Sequence, residues 1–290
     1  MEQTTEDILR KVRELEIKSK KLATHFFTGE FHSAFKGKGM RFREVRDYTA
    51  GDDVRFIDWN VSARFSHPFT KVFEEERELS VMLLIDISTS NLFGTRMRSK
   101  REAINEVAAM LAFNVIKNND KVGAVLFGNE VELYIPPKKG RMHVLYLVRE
   151  LLSREPCCAG TNIYDAIRYF NRNIKQRSIA FVISDFVGEG YFHDLKVIGK
   201  KHDVIGIKIS DPADEDLPKV GLLELMDSET EELRWVNTNN AAVRYNYRLH
   251  FLKNQEECKQ AFRKAGAELL EVRTNDDYIK ILQHFFQKRK

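Results

Sequence analysis

Short apolar segments alternate with helical segments from about residue 77 to the end of the chain. Residues 81–85 are continuously apolar, as in a strand buried on both faces, and residues 98–117 carry an apolar stripe at helical spacing. Further strands are predicted at residues 122–127, 179–184 and 203–209. Strands that alternate with helices form a parallel sheet that is covered on both faces. The sequence therefore predicts a doubly wound α/β fold with a mostly parallel sheet.

The first part of the chain has a different pattern. Residues 5–24 predict a helix whose apolar face packs on the rest of the protein. Residues 29–69 mix glycines, aromatics and charges of both signs, which indicates short strands and turns, and residues 54–59 alternate as a strand does. We expect two domains: residues 1–76, a small helix-plus-β segment, and residues 77–290, the α/β domain.

Smaller features complete this picture. The segment "VELYI", residues 131–135, alternates like an edge strand, and a hairpin is predicted to turn at residues 227–231. Cys157, Cys158 and Cys258 do not form a disulfide framework, so reduced thiols are the simpler expectation.

Bulk properties exclude several classes of protein. The net charge of +4 over 290 residues gives no reason to expect nucleic-acid binding. The N-terminus lacks the apolar region of a signal peptide, and no apolar run approaches the roughly 20 residues that a membrane span requires. We therefore expect a cytoplasmic protein with no membrane span.

Oxygen-bearing side chains follow two of the predicted strands and precede one predicted helix. Asp86, Ser88 and Ser90 come after the first buried strand, Thr161 precedes a helix, and Asp185 directly follows another buried strand. In an open α/β sheet, ligands bind beyond the carboxyl ends of the strands, where these side chains are expected to meet. Hard oxygen ligands that include two carboxylates suit Mg²⁺ or Mn²⁺.

This pattern resembles the metal-ion-dependent adhesion site (MIDAS) of von Willebrand factor type A domains. The resemblance implies that Ser88 and Ser90 bind the metal directly, and that Thr161 does so directly or through water. Asp86 and Asp185 would bind directly or through water while orienting the hydroxyls. Neutral hydroxyls leave the ion electrophilic, so it would accept a Glu or Asp of a partner protein as its last ligand.

A signature in the first part of the chain resembles a second, larger group. The matching residues are Gly37, Gly39, Arg46, Tyr48, Gly51, Asp52, Asp53, Arg55, Asp58, Trp59, Ala63 and Arg64. They are similar to those of the bacterial domain-of-unknown-function 58 family, whose members are often encoded beside MoxR-type AAA+ ATPases. Some members carry membrane helices, and this chain resembles the soluble branch. The resemblance implies a MoxR-type ATPase as partner.

The signature itself has balanced charges, which suggests internal ion pairs or a protein-binding surface. We expect bidentate pairs between its arginines and its aspartates, which are Arg46, Arg55 and Arg64 against Asp52, Asp53 and Asp58. Phe56 and Trp59 are expected in the core. A role of the segment in gripping the ATPase is the alternative.

The function expected from these features is a non-catalytic, metal-dependent interaction protein that works with the ATPase in assembly or maturation of other complexes. The competing class is a metal-dependent hydrolase, such as a phosphoesterase, that uses the same ion to activate water. A haloacid-dehalogenase-type phosphatase would need a general acid at the position of Ser88, so it is disfavoured. A purely structural protein with an empty site is a third possibility, which predicts no stabilisation by Mg²⁺.

Overall fold

A six-stranded sheet forms the centre of the larger of two units of the chain. The computed structural model describes residues 5–22, 40–75, 79–92, 98–155, 160–188, 190–226 and 233–289. The strands are β1 (Met40–Asp47), β2 (Phe69–Glu75), β3 (Ser80–Asp86), β4 (Lys121–Phe127), β5 (Val131–Lys138), β6 (Ile179–Ser184), β7 (Asp203–Ser210), β8 (Leu222–Met226), β9 (Leu233–Asn237) and β10 (Glu268–Arg273). The helices are α1 (Thr5–Leu22), α2 (Trp59–Phe65), α3 (Lys100–Lys117), α4 (Arg141–Ser153), α5 (Ile163–Asn173), α6 (Phe192–Gly199), α7 (Pro212–Glu215), α8 (Ala241–Ala265) and α9 (Tyr278–Lys288).

The strand order of the central sheet is β10-β7-β6-β3-β4-β5. Every neighbouring pair is parallel except β4 and β5, so the predicted edge strand is present and antiparallel. From β3 the chain passes to β4 on one side and later returns to β6 on the other. The order in which the chain adds strands therefore reverses between β3 and β6. In doubly wound folds, ligands bind at such a switch point. The predicted fold class is confirmed.

Helices cover both faces of this sheet. On one face Phe170 of α5, Leu195 of α6 and Phe262 of α8 join a core that includes Leu84 and Val182. Side chains alternate along a strand, so the neighbouring Phe181 faces the other way, where its ring lies 6.1 Å from that of Phe286 in α9. Helices α3 and α4 also contact the sheet. Burial on both faces explains why the strands lack the alternation of a half-exposed sheet.

Helix α1 belongs to the larger unit, which comprises Met1–Thr28 and Ser80–Lys290. Its apolar residues Val12 and Leu15 are buried, and the helix contacts α3 and α4. Lys18 Nζ lies 3.0 Å from Glu106 Oε1 of α3. The predicted division at residue 76 differs from this arrangement because it placed α1 with the segment that follows it. The apolar face of α1 does pack on the α/β part of the chain, as the sequence predicts.

The smaller unit, Gly29–Leu79, contains an antiparallel pair, β1 and β2, and the short helix α2. The strand predicted at residues 54–59 is wrong, because Val54–Phe56 forms a 3₁₀ turn and Trp59 begins α2. Two aspartates cap these turns: Asp53 accepts a hydrogen bond from the backbone N–H of Arg55, and Asp58 accepts from those of Asn60 and Val61. Side-chain capping of this kind outweighs a weak strand pattern.

The signature charges of this unit form ion pairs, in part as predicted. Arg46 lies 2.7 Å from Asp52 and Arg55 lies 2.6 Å from Asp53, and these partners lower the pKa of each carboxyl to about 2. Asp58 pairs with Lys71 rather than with an arginine.

The prediction that Phe56 and Trp59 lie in a core is wrong for Trp59, which is 70% exposed, and Phe56 is half-buried. The indole sits on the first residue of α2, and the backbone of that short helix is held by Asp58 at its N-cap. The helix therefore forms without burying the indole, which no pattern in the sequence indicated.

Strands β8 and β9 form the predicted hairpin, whose turn at residues 227–231 lies outside the described residues, as do Cys157 and Cys158. Cys258 is a buried free thiol. In the part of the chain that the structure describes, each helix is either too short or too polar to cross a bilayer.

Candidate functional site

The carboxyl ends of β3 and β6 place the predicted site residues at the switch point of the sheet. Asp86 is the last residue of β3, and Ser88 and Ser90 lie in the turn that follows. Asp185 comes directly after β6. Thr161 lies two residues before α5, and its hydroxyl comes near that of Ser90. The structure thus brings these five residues to one edge, whereas their role as metal ligands stays a prediction.

Asp86 is fully buried and holds the turn after β3. Its Oδ1 accepts a hydrogen bond from the backbone N–H of Ser88 at 3.0 Å, and its Oδ2 accepts one from Ser184 Oγ at 2.6 Å. Ser184 Oγ in turn accepts from the backbone N–H of Phe186 at 3.0 Å. Asp86 therefore connects the loop after β3 to the loop after β6.

The hydroxyls of the site lie side by side. Ser88 Oγ is 2.9 Å from Ser90 Oγ, and Ser90 Oγ is 3.5 Å from Thr161 Oγ1. Thr161 is held in place by its neighbours, because Asn162 donates its backbone N–H to the carbonyl of Gly128 at 2.8 Å and caps helix α5 with its side chain. The three hydroxyls form a continuous row of neutral oxygen atoms.

Asp185 is also buried, and its two oxygen atoms are both engaged. Oδ1 accepts from the backbone N–H of Val187 at 3.2 Å, and Oδ2 accepts from Lys100 Nζ at 2.9 Å. The next residue, Phe186, is buried with a φ of 53°, in the left-handed region that non-glycine residues rarely adopt. Strained backbone of this kind concentrates at functional sites, where the surrounding structure enforces it.

The electrostatic environment differs between the two carboxylates. Burial, followed by the charge of Asp185, raises the pKa of Asp86 to about 6. Among the described residues, Asp86 has no basic partner within ion-pair distance. Asp185, in contrast, is paired with an ammonium group. The site therefore contains one buried carboxylate without a compensating charge, a situation that a bound cation would relieve.

Lys100 is a member of the site that the sequence analysis missed. It is the first residue of α3, directly after the N-cap Ser99, which forms a capping box with Glu102. Burial lowers the pKa of Lys100, but the charges of Asp185 and Asp214 outweigh that effect and raise it. A lysine in the first turn opposes the helix dipole, and this unfavourable placement was the signal in the sequence that could have identified it.

Asn91 is a second missed residue. It is fully buried and donates a hydrogen bond from Nδ2 to Ser88 Oγ at 3.2 Å. Its Oδ1 is buried without a hydrogen-bond partner among the described residues. Asn91 fixes the first serine of the turn, and an unsatisfied buried oxygen beside it is consistent with a ligand that is not part of the chain.

The residues present fit a hard divalent cation. Within the described residues, no group of three or more His, Cys, Asp and Glu side chains is arranged to hold a metal ion, so a zinc-type cluster is not indicated there. The hydroxyls of Ser88, Ser90 and Thr161 adjoin one another, Asp86 bonds the backbone of Ser88, and the charge of Asp185 acts on Asp86. All of these side chains offer hard oxygen atoms. Mg²⁺ and Mn²⁺ prefer such oxygens and keep several water ligands, so they do not require many carboxylates.

Comparison with solved structures shows a shared fold. The chain is similar to the conserved hypothetical protein BatB from Bacteroides thetaiotaomicron, with a TM-score of 0.50 and 18% identity, over 72% of this chain and 98% of that one. It is also similar to an aerotolerance-related membrane protein from Bacteroides fragilis, with a TM-score of 0.51 and 19% identity, over 72% and 99% of the two chains. At these identities the likeness extends to the fold alone.

Comparison of sequences relates the chain to a protein family. It is 30% identical over 282 residues to the uncharacterized protein Rv1480 of Mycobacterium tuberculosis, which covers 96% of this chain and 89% of that protein. It is 33% identical over 107 residues to the uncharacterized protein YeaD of Bacillus subtilis, which covers 37% of this chain and 25% of that protein. The model of the family described as "Protein of unknown function DUF58" matches residues 44–257, and the chain belongs to this family.

Proposed function

We propose that this protein is a non-catalytic interaction module that binds a partner through a divalent cation. The ion, Mg²⁺ or Mn²⁺, would be held by the oxygen atoms of Asp86, Ser88, Ser90, Thr161 and Asp185. An acidic side chain of the partner would supply the remaining ligand. The observation that carries the proposal is Asp86, a buried carboxylate without an ion-pair partner among the described residues, beside a row of hydroxyls at the switch point.

The chain's own residues have distinct tasks in this proposal. Asp86 orients Ser88 through the backbone hydrogen bond and is itself oriented by Ser184. Asn91 holds the hydroxyl of Ser88 from the other side. Because the hydroxyls are neutral, they would not offset the ion's positive charge, and the charge that remains would attract a carboxylate of the partner. The ion would supply electrostatic attraction rather than chemistry.

We further propose that the partner is a MoxR-type AAA+ ATPase in the bacterial cytoplasm. The joint task would be assembly or maturation of other protein complexes. The proposal rests on the resemblance described for the signature segment, which implies such an ATPase as partner, and the chain belongs to the DUF58 family. In this proposal the signature segment has a structural role. Its ion pairs, Arg46 with Asp52 and Arg55 with Asp53, support that role.

A thermal-unfolding series tests the metal site directly. Mg²⁺ or Mn²⁺ that binds only the folded chain should raise the melting temperature of the wild-type protein as the ion concentration rises. Thr161→Val removes one hydroxyl from the row and should weaken this response, and Asp86→Asn should abolish it. Asp277→Asn is a matched control, because it removes the same charge at the exposed N-cap of α9 and keeps a side chain that caps well.

A capture experiment tests the partner. The tagged chain is incubated with lysate of the native cell in Mg²⁺ or in EDTA, and the ATPase should be recovered only in Mg²⁺. The Asp86→Asn chain should not recover it in either buffer. Equal recovery in both buffers would contradict docking through a metal. Hydrolysis of phosphoesters that is lost in Asp86→Asn would show that the protein is an enzyme instead.

A further inference from the structure

A lysine ammonium is buried inside the candidate ion site. The Lys100 side chain is 5% exposed, and its Nζ lies 2.9 Å from Asp185 Oδ2 and 3.5 Å from Asp214 Oδ2. Asp185 is one of the residues that the proposed function assigns to the metal. The site therefore already contains one positive charge, contributed by the chain itself.

This ammonium is held in a fixed position. Its backbone is anchored by the capping box of Ser99 and Glu102 at the start of α3. On the other side, Asp214 accepts a hydrogen bond from the backbone N–H of Asp211 at 2.8 Å, in a second capping box at α7. Burial strongly destabilises an unpaired ammonium because it loses its hydration, so Lys100 remains paired with these carboxylates.

We propose that Lys100 is a built-in counter-cation that offsets the charge of Asp185 and thereby keeps the affinity of the site for a divalent ion low. The inference rests on the proposed function for the identity of the site, and it adds how the site is regulated. An ion that is weakly held by the chain alone gains a ligand when a partner carboxylate binds. Metal binding and partner binding then strengthen each other by the same factor.

The test is the affinity of the full chain for Mn²⁺ alone, measured by calorimetry and by the electron paramagnetic resonance of free Mn²⁺. Lys100→Met removes the positive charge and should tighten Mn²⁺ binding by about tenfold or more. Asp214→Asn removes a neighbouring negative charge, so that Lys100 pairs with Asp185 alone. This substitution should weaken Mn²⁺ binding by about threefold or more. Lys175→Met is the control: this exposed lysine precedes the amino end of β6, at the opposite edge of the sheet, and its loss should change nothing.

The outcomes separate this inference from the proposed function. If the wild-type chain binds Mn²⁺ and Lys100→Met binds it equally well, the inference is wrong and the metal site survives. If only Lys100→Met binds Mn²⁺, the inference holds and the metal-dependent function of the wild type is wrong. If neither chain binds, both are wrong. If Lys100→Met does not fold, Lys100→Gln decides, because it also removes the charge and keeps a polar end for the two carboxylates. Unchanged affinity in that variant overturns the inference, and tighter binding supports it.

Discussion

Replacing Asp86 by asparagine should stabilise the metal-free protein, although it removes the central residue of the proposed site. Burial and the charge of Asp185 raise the pKa of Asp86 from 3.8 to about 6. A raised pKa means that the folded state disfavours the ionised carboxyl, and each pKa unit corresponds to roughly 1.4 kcal/mol. The ionised carboxylate therefore costs about 3 kcal/mol of folding free energy at pH 8.

Asparagine keeps the shape of the side chain and an oxygen for the backbone N–H of Ser88. It loses the acceptor of the Ser184 hydroxyl, which costs about 1 kcal/mol. We expect the free energy of unfolding at pH 8 to rise by about 2 kcal/mol in Asp86→Asn, measured by urea denaturation in EDTA with far-ultraviolet circular dichroism.

The pH dependence checks the cause of this gain. The penalty is fully present above the folded pKa of about 6 and disappears as the pH falls toward 3.8, because the carboxyl is then protonated in both states. The advantage of Asp86→Asn should therefore shrink between pH 7 and pH 4. A variant that is less stable than the wild type at pH 8 in EDTA would refute the view that Asp86 is an uncompensated buried charge. Adding Mg²⁺ should stabilise only the wild type.

Three further perturbations test the fold around the site. A methyl group in Gly123→Ala would lie 2.6 Å from the carbonyl oxygen of Ile135. The substitution should therefore lower the free energy of unfolding by about 2 kcal/mol or more, measured by urea denaturation. An unchanged denaturation midpoint would contradict the close approach of β4 and β5. Burial lowers the pKa of His202 to about 4, so the contribution of neutral His202 to stability is complete above pH 6.5 and is lost as the pH falls toward 4. His202→Gln should flatten the plot of unfolding free energy against pH in this range. Leu84→Ala should cost about 2 to 5 kcal/mol, since Leu84 is fully buried in the central strand, and a smaller loss would mean that the core collapses around the cavity.

The sequence predicts the fold, and the edge of the sheet where the candidate site lies, because both depend on local patterns. Continuous apolar runs are typical of strands buried on both faces, and Asp86 and Asp185 follow such runs directly. Ser184 gives no such local signal, and Lys100 gives only its unfavourable place in the first turn of α3. Each acquires its role from a partner that is distant in sequence, Asp86 for Ser184 and Asp185 for Lys100. Lys100 and Asp185 come together because helix α3 packs against strand β6, and this packing is a tertiary contact.

The strand predicted at residues 54–59 failed for a different reason. Alternation over a few residues is a weak signal, and the side chains of Asp53 and Asp58 offer the backbone a competing set of hydrogen bonds. The exposed Trp59 was missed because aromatic residues are placed in the core by default.

The chain leaves the larger unit after residue 28 and returns to it at residue 80, so Gly29–Leu79 is an insertion within another folding unit rather than a domain that precedes it. A protein shortened to residues 80–290 would lack helix α1. The surface of α3 and α4 that α1 contacts through Val12 and Leu15 would then be exposed to solvent, and the protein would aggregate more readily. Exchanging residues 29–79 for a flexible linker would keep that cover.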